Sequence, residues 1–523
     1  MLSRFLSSAP VPAGKKQIIT TPLFYVNSKP HLGHAYSAVL TDAMARWESA
    51  TLVTGTDEHG QKISSAALGA NLPPQQFCDT VSSQFRETFD RLDVDYDYFI
   101  RTTEVKHRAT VEAFWSRISK HITLGHYEGW YCASDEAFVA DKLVDVANKQ
   151  LKDFPHAKVE WVAEPNYKFN FNPRQVQQQL FAECQILPGT ARKNEVAGYL
   201  ADGNDFESIS VSRPNSRVPW ALTVPGDSSQ SIYVWLEALC GYITASGCVL
   251  NPDPNQPAIS SGDFSNVTHV IGKDILKFHT MHWPAFLLAA GLPLPKRVIA
   301  HAHWTVSRCK MSKSLGNVID PNDLLIGLCK NQVDALRYFL LRDGRLETDA
   351  DFSPELLMER VDNDLANNLG NLLNRACADS MWKNLTGMAY CPVTQAQYDL
   401  VNKVDVFYRQ GDFAKGLELL MQHLNETNAR FQNAAPWVLA KSPTSSDRDK
   451  LKECLGSAMG ACHVAAVLLR PVTPQLSSKI FTRLGLHPNS VDIKFPTEYA
   501  KPIGGGGPVL FTKLAEQITK VKR

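Results

Sequence analysis

The chain has 523 residues, 44% of them apolar and 20% charged, which is the composition of folded globular domains and excludes a largely disordered chain. Its 54 Lys and Arg stand against 53 Asp and Glu, a net charge of +1 that excludes a uniformly polybasic protein and leaves only local basic surface for a polyanionic partner. No run reaches the ~18 uncharged apolar residues of a membrane span, so no membrane is expected among its partners. Eleven cysteines lie no closer than eight residues apart. With no C-x-x-C pair and no paired spacing, they read as buried free thiols in a reducing compartment and not as a disulfide framework or a zinc knuckle.

The first 13 residues, MLSRFLSSAPVPA, are Ser-rich, carry Arg4 and contain no acid; the first acidic residue of the chain is Asp42. Residues 1–15 therefore read as a short mitochondrial presequence, with a disordered tail as the alternative. Residues 16–26 (KQIITTPLFYV) are β-branched and aromatic and stop at Asn27-Ser28-Lys29-Pro30, which predicts a buried first strand. A helical pattern runs from His34 to Trp47, with Asp42 and Arg46 one turn apart. Residues 51–56 predict a second strand. Phe77, Val81, Phe85 and Phe89 predict an amphipathic helix, and after a strand at 96–102, Val111, Phe114, Trp115, Ile118 and Ile122 predict another. Strand followed by helix, repeated, indicates an α/β fold with a parallel sheet. The stretch 125–225 is irregular and reads as an insertion, after which strands at 267–271 and 297–306 resume the sheet. Beyond about Ser353 the pattern is helical, over 361–382, 403–422 and 451–469, so an all-α domain follows. Gly504 to Gly507 read as a joint before the tail.

Two short motifs carry chemistry. His31-Leu32-Gly33-His34 stands where a strand gives way to a helix, where backbone N–H groups and the helix dipole favour an anion. Alone, H-x-G-H is equally compatible with a metal pair or with two surface histidines. Lys310-Met311-Ser312-Lys313-Ser314 places two lysines and two hydroxyls on one loop, enough to clamp a triphosphate and neutralise departing pyrophosphate. The order of the two motifs across a long gap is more specific than either motif.

With Tyr25-Val26-Asn27 before HLGH, Thr54-Gly55-Thr56-Asp57-Glu58-His59-Gly60, Tyr127-Glu128-Gly129-Trp130-Tyr131-Cys132, Tyr233-Val234-Trp235 and Ile271-Gly272-Lys273-Asp274 in this order, the sequence resembles the class I methionyl-tRNA synthetases, in particular their animal mitochondrial branch. The resemblance spans about residues 16–485. It implies a Rossmann-type catalytic domain in two halves (16–124 and 226–314), split by a connective insertion (125–225). A stem-contact segment (315–353), an α-helical anticodon-binding bundle (354–495) and a tail (496–523) complete the expected organisation. It implies ATP-dependent formation of methionyl-adenylate and transfer to tRNA(Met) in the mitochondrial matrix, by a monomer using ATP with Mg2+. The implied catalytic groups are His31, His34, Lys310 and Lys313. ATP is expected at Tyr25, Gly33, Ser312, Asp274 and Arg213 in addition to those four. Methionine is expected among Leu23, Tyr25, Asp57, Trp235, Ala238, Tyr242, Phe278, His279 and Trp283, with Asp57 on its ammonium. A thioether suits an aromatic, polarisable slot at ~1 kcal/mol per sulfur–ring contact. Asn371, Arg375 and Trp437 are implied readers of the CAU anticodon, consistent with stacking and base-edge bonding by such side chains.

The chain departs from the family in several places. Ala133-Ser134-Asp135 follow Cys132 where a second cysteine of a zinc knuckle would stand, so no structural zinc is expected. Glu237 replaces an Asp, and Leu239 a Pro common in bacterial members. Residues 48–53 are shorter than the corresponding link of relatives, which leaves a tRNA-binding protein without catalysis as the alternative function. Leucyl, isoleucyl and valyl enzymes need a longer editing insertion, and a cysteinyl enzyme needs zinc ligands that are missing.

Overall fold

The computed structural model describes residues 17–132, 137–139, 141–152, 158–200, 208–312, 316–385, 389–390, 394–487, 498–499 and 510–515. The expected presequence, the residues after Cys132, Lys313 with Ser314, the glycine joint and most of the tail lie outside them. The chain divides into two compact units, one of Met1–Pro30, Ser49–Asp90 and Val94–His301, the other of His31–Glu48, Arg91–Asp93 and Ala302–Arg523. Strand β1 (Ile18–Tyr25), helix α1 (Leu32–Glu48) and strand β2 (Thr51–Asp57) follow one another closely. The short link after α1 is made by Ser49 in the left-handed region (φ 53°), a tight reversal that needs few residues.

The first unit is built on a six-stranded sheet completed by β3 (Tyr98–Arg101), β4 (Gln185–Leu187), β5 (Val267–Gly272) and β6 (Arg297–His301). All pairings are parallel, in the order β3-β2-β1-β5-β6-β4. Strand order reverses around β1, which is where α/β sheets bind ligands beyond their carboxyl ends. Pro22 lacks an N–H for the ladder, and the β1–β2 register shifts between Thr20 and Leu23 before Tyr25 comes opposite Asp57. The helices α2 (Val105–Ile118), α3 (Val234–Ser246) and α4 (Trp283–Ala290) contribute Phe114, Ile118, Leu236, Ile243, Trp283 and Phe286 to the unit's main core. Ile122, predicted on the helix, opens a strand, because α2 stops at Ile118. That strand, Ile122–Cys132, pairs antiparallel along its whole length with Val159–Asn170. The expected insertion is not continuous: residues 185–187 within it supply the edge strand β4, too short to carry a period in sequence.

In the second unit the predicted strand at 297–306 is interrupted. Its distal part, Trp304–Val306, pairs with Cys309–Lys310 and Ala350–Asp351. The helical part contains α5 (Val333–Asp343), α6 (Gln395–Arg409), α7 (Phe413–Ala434) and α8 (Ser445–Leu469). The single helix predicted over 403–422 is two helices, because Gly411 (φ 77°) ends one and Asp412 caps the next by accepting from the Lys415 N–H. The pattern over 361–382 likewise breaks at Cys377 and Ala378. Residues 389–390 and 498–499 form a two-residue antiparallel pair beyond the point where strands were expected to stop. Helix α8 is long and apolar enough to cross a membrane by length and composition, but most of it is buried in the bundle. Among the described residues the cysteines are free thiols, buried except for Cys309 and Cys454.

Helix α1, expected with the first half of the sheet domain, belongs to the second unit through a buried charge cluster. The Arg337 guanidinium, fully buried on α5, donates to Asp42 Oδ2 on α1 at 2.6 Å and to the carbonyls of Leu92, Pro471 and Val472 at 2.8–3.0 Å. Arg46 donates to the same Asp42 oxygen at 2.8 Å. Removing one partner of a buried pair strands the other charge. Asp42→Ala is therefore expected to lower unfolding stability by about 3–5 kcal/mol, read from urea denaturation midpoints. A loss below about 1 kcal/mol, the worth of an exposed ion pair, would contradict this role.

Candidate active site

The expected methionine residues of the first unit come from β1 (Leu23, Tyr25), β2 (Asp57), α3, the turn Phe278–His282 and the first residue of α4. Helix α3 presents Trp235, Ala238 and Tyr242 at i, i+3 and i+7, one face. Close approach of this helix to β1 needs Gly241: a Cβ there would lie 2.5 Å from Leu23 Cδ1. Phe278 and His279 lie on a wide helical turn, Phe278–His282, that runs into α4 and Trp283; such turns re-aim side chains and recur at functional sites. Trp235 and Phe278 stack with ring centroids 3.8 Å apart at 8°.

Behind this pair the polar atoms are matched one to one. Tyr242 Oη donates to His279 Nε2 at 2.8 Å, and His279 Nδ1 donates to the Ile275 carbonyl at 3.0 Å. Trp283, fully buried, donates from Nε1 to His269 Nε2 at 3.2 Å, which leaves His269 Nδ1 to donate to Thr20 Oγ1 at 2.9 Å. With the rings neutral, each imidazole has one donor and one acceptor nitrogen. Burial, followed by His279, holds His269 well below the usual histidine range, and burial lowers His279 to about 4. Burial, and then the Asp57 carboxylate, push the Tyr242 phenol far up. Asp57 itself is buried at the end of β2, its carbonyl accepting from Val26 N at 3.2 Å. Tyr25, opposite it, has the Lys62 ammonium 5.5 Å from its ring centroid.

Two residues expected on the nucleotide side also lie in this unit. Arg213, buried, donates to Ser210 Oγ at 2.9 Å and the Ser212 carbonyl at 2.7 Å, with its guanidinium carbon 4.4 Å from the Tyr233 ring centroid. Asp274 is exposed in the single turn Lys273–Ile275 after β5.

In the second unit His31 and His34 stack at 3.6 Å. His31 N donates to His34 Nδ1 and Gly33 N to His31 Nδ1, both at 3.1 Å, so in the neutral rings the proton sits on Nε2, a donor suited to an anionic oxygen. A Cβ on Gly33 would lie 2.9 Å from His31 Cε1 and 4.0 Å from Met311 Cε, so the lysine loop lies beside this turn. Lys310, exposed, leaves a hairpin turned by Ser307 and Arg308 at φ 53° and 60°. Asn317 braces the loop: its Oδ1 accepts from Ser312 N at 2.8 Å and its Nδ2 donates to the Lys310 carbonyl at 3.3 Å.

Of the expected anticodon residues, Asn371 is exposed on helix Asn371–Ala376, and Arg375 beneath it donates to Asn371 O at 3.3 Å, Gln432 Oε1 at 3.2 Å and Asn428 Oδ1 at 2.5 Å. Trp437 is half-buried just after α7, where Ala435 (φ 45°) and Pro436 turn the chain. Sequence reasoning missed His269, Asn317 and a buried His59–Glu237–His107 cluster. His269 and the members of the cluster meet partners distant in sequence, and Asn317 lies just past the motif whose Lys310 and Ser312 it binds, so their contacts leave no local pattern.

The family description tRNA synthetases class I (M) matches residues 17–158 and 156–377. A human protein named methionine--tRNA ligase, mitochondrial, is 39% identical, with 92% of this chain and 87% of that one covered. Its Xenopus laevis counterpart is 38% identical, with 91% and 86% covered. The structure of Mycobacterium tuberculosis methionyl-tRNA synthetase in complex with methionyl-adenylate superposes with a TM-score of 0.85 at 32% identity, covering 95% of this chain and 99% of that one. Fold and motifs together define a class I aminoacyl-tRNA synthetase, an enzyme that uses ATP. Within that class the chain belongs to the methionyl-tRNA synthetase family, and its mitochondrial members are among its relatives.

The neutral imidazoles set a pH dependence. His279 resists protonation down to about 4, while in the unfolded chain it takes a proton near the ordinary 6.5. Stability is therefore expected to be complete above pH 6.5 and to fall as pH drops from there through about 4, because only the unfolded state binds the proton. Urea midpoints across that range should fall less steeply for His279→Gln than for the wild type; equal slopes would contradict the assignment.

Proposed function

We propose that the chain is a mitochondrial methionine–tRNA ligase, activating L-methionine with ATP to methionyl-adenylate and passing the methionyl group to tRNA(Met), as a monomer in the matrix. The observation that carries this reading is the uncharged aromatic cluster of Trp235, Phe278, Tyr242, His279 and Trp283, on which Asp57 acts as the nearby charge. A thioether gains dispersion contacts in such a slot, and one carboxylate can hold the ammonium.

The methionine carboxylate is already an anion, so attack on the α-phosphorus of ATP needs no general base. It needs in-line alignment and stabilisation of charge on the phosphoryl oxygens. His31 and His34 supply Nε2 donors for the α-phosphate side, with Gly33 giving the nucleotide access to backbone. Lys310, Ser312 and Lys313 serve the leaving pyrophosphate, and Tyr25, Arg213 and Asp274 the rest of the nucleotide. Mg2+ arrives with ATP as part of the substrate. In the second step a terminal ribose hydroxyl of the tRNA attacks the acyl carbon and AMP leaves. Residues 354–495 are the anticodon-binding bundle, with Asn371, Arg375 and Trp437 facing the CAU bases. Cys132, buried with Val144, Leu151 and Val159, acts as a packing residue, and no structural zinc is proposed.

The alternative of a tRNA-binding protein without catalysis rests on the short 48–53 link. That link closes through Ser49 and leaves Asp57 in register opposite Tyr25, which supports a working site. Charging of a tRNA(Met) transcript with methionine by the purified protein tests the function. Lys310→Ala is expected to slow methionine-dependent ATP–pyrophosphate exchange about 100-fold, with the methionine KM within about threefold of wild type. An unchanged rate would remove Lys310 from the reaction.

A further inference from the structure

Glu237 lies on α3 between Trp235 and Ala238, yet it makes its bonds away from them. Its carboxylate is fully buried, and Oε1 accepts from His59 Nδ1 at 2.9 Å and from His107 Nε2 at 3.2 Å. His107 belongs to α2, and its Nδ1 lies 3.0 Å from Thr244 Oγ1 further along α3. His59 is two residues beyond Asp57. A buried charge persists only when paired, and Oε1 meets two imidazoles: burial pushes the Glu237 carboxyl up, but His59 and His107 outweigh it and hold it below the usual carboxylate range.

The other neighbour of Asp57 is fastened as firmly. Glu58 accepts from Thr56 Oγ1 at 2.8 Å, Thr103 Oγ1 at 2.6 Å and Arg101 at 2.7 and 3.0 Å, and its N–H donates to Thr102 Oγ1 at 2.9 Å. Trp220 Nε1 donates to the Glu58 carbonyl at 2.6 Å, and Gly60 N to the Trp220 carbonyl at 2.9 Å. These bonds tie the segment to β3 and its following turn and to the Trp220 loop. The Glu237–His59 bond ties it to the helix that carries the aromatic residues.

We propose that Glu237 is a positioning residue for substrate recognition: through His59 it sets where the Asp57 carboxylate stands relative to Trp235, Ala238 and Tyr242, and so tunes binding of the substrate ammonium. This rests on the methionine reading of the site. A charge-assisted bond to an ammonium weakens steeply when its carboxylate shifts, whereas apolar contacts tolerate the same shift.

Glu237→Gln keeps the volume and removes the charge. In methionine-dependent ATP–pyrophosphate exchange it is expected to raise the methionine KM at least tenfold, with kcat and the ATP KM within about threefold of wild type. The inhibition constant of 4-(methylthio)butanoate, which is methionine without its ammonium, should stay within about twofold. Unfolding midpoints verify that the variant folds; if it does not, His59→Gln breaks the same bridge from the other side and gives the same readout. An unchanged methionine KM, or equal weakening of methionine and the desamino acid, overturns the proposal. Absence of methionine-dependent exchange in the wild-type protein overturns the reading of the site on which it rests.

Discussion

A site for methionine must reconcile two demands: an apolar, polarisable wall for a thioether and a single fixed negative charge for an ammonium. In the proposed site the imidazoles near the Trp235–Phe278 stack serve the first demand by staying neutral. The histidines in the wall are the danger, since a protonated imidazole would draw water and polar ligands. They are neutralised by assignment: Tyr242 donates to His279, which donates to the Ile275 carbonyl, and Trp283 donates to His269, which donates to Thr20. His269 cannot take a second proton without breaking its bond from the donor-only Trp283 N–H, a penalty of about 1–3 kcal/mol on top of desolvation, and His279 is kept neutral by burial. In the proposed reading the second demand falls to Asp57, placed by the β1–β2 register and by the bonds on either side of it.

The nucleotide motifs answer a different constraint. Phosphate chemistry needs donors aimed at oxygens and held still, and in the proposed reading the second unit supplies them from backbone geometry. The backbone N–H groups of His31 and Gly33, at the entry to α1, orient the two imidazoles, and Asn317 braces the lysine loop. Helix α1 is held in turn by the Asp42–Arg337 pair, so a buried charge cluster fixes the element that carries the proposed phosphate-side turn.

What could be read from sequence follows from what is local. Strand periods, the turn before His31, and the lysine-hydroxyl loop each express their chemistry within a few neighbouring residues, and their order identified the family. The proposed pocket aromatics were legible only through that order, since a lone Trp or Phe reads as core. Contacts across long separations were not legible. Glu237 meets His59 and His107 across 178 and 130 residues, and Asp42 meets Arg337 across 295. Helix breaks at Gly411 and Cys377 were lost inside continuous apolar patterns, and the three-residue strand β4 was too short to show a period. The shortened link before β2 looked disruptive in sequence because a single left-handed Ser49 can replace a longer turn without leaving a motif.

The central claim is that an uncharged slot with one carboxylate selects an unbranched thioether amino acid. The most direct measurement is ATP–pyrophosphate exchange by the wild-type protein with each of the twenty amino acids in turn. The account predicts a kcat/KM for L-methionine at least about 100-fold above that for L-leucine or L-glutamine, because a branched chain does not fit and a polar one leaves its amide unpaired. Comparable exchange with L-glutamine, which matches methionine in length but not in polarity, would contradict it.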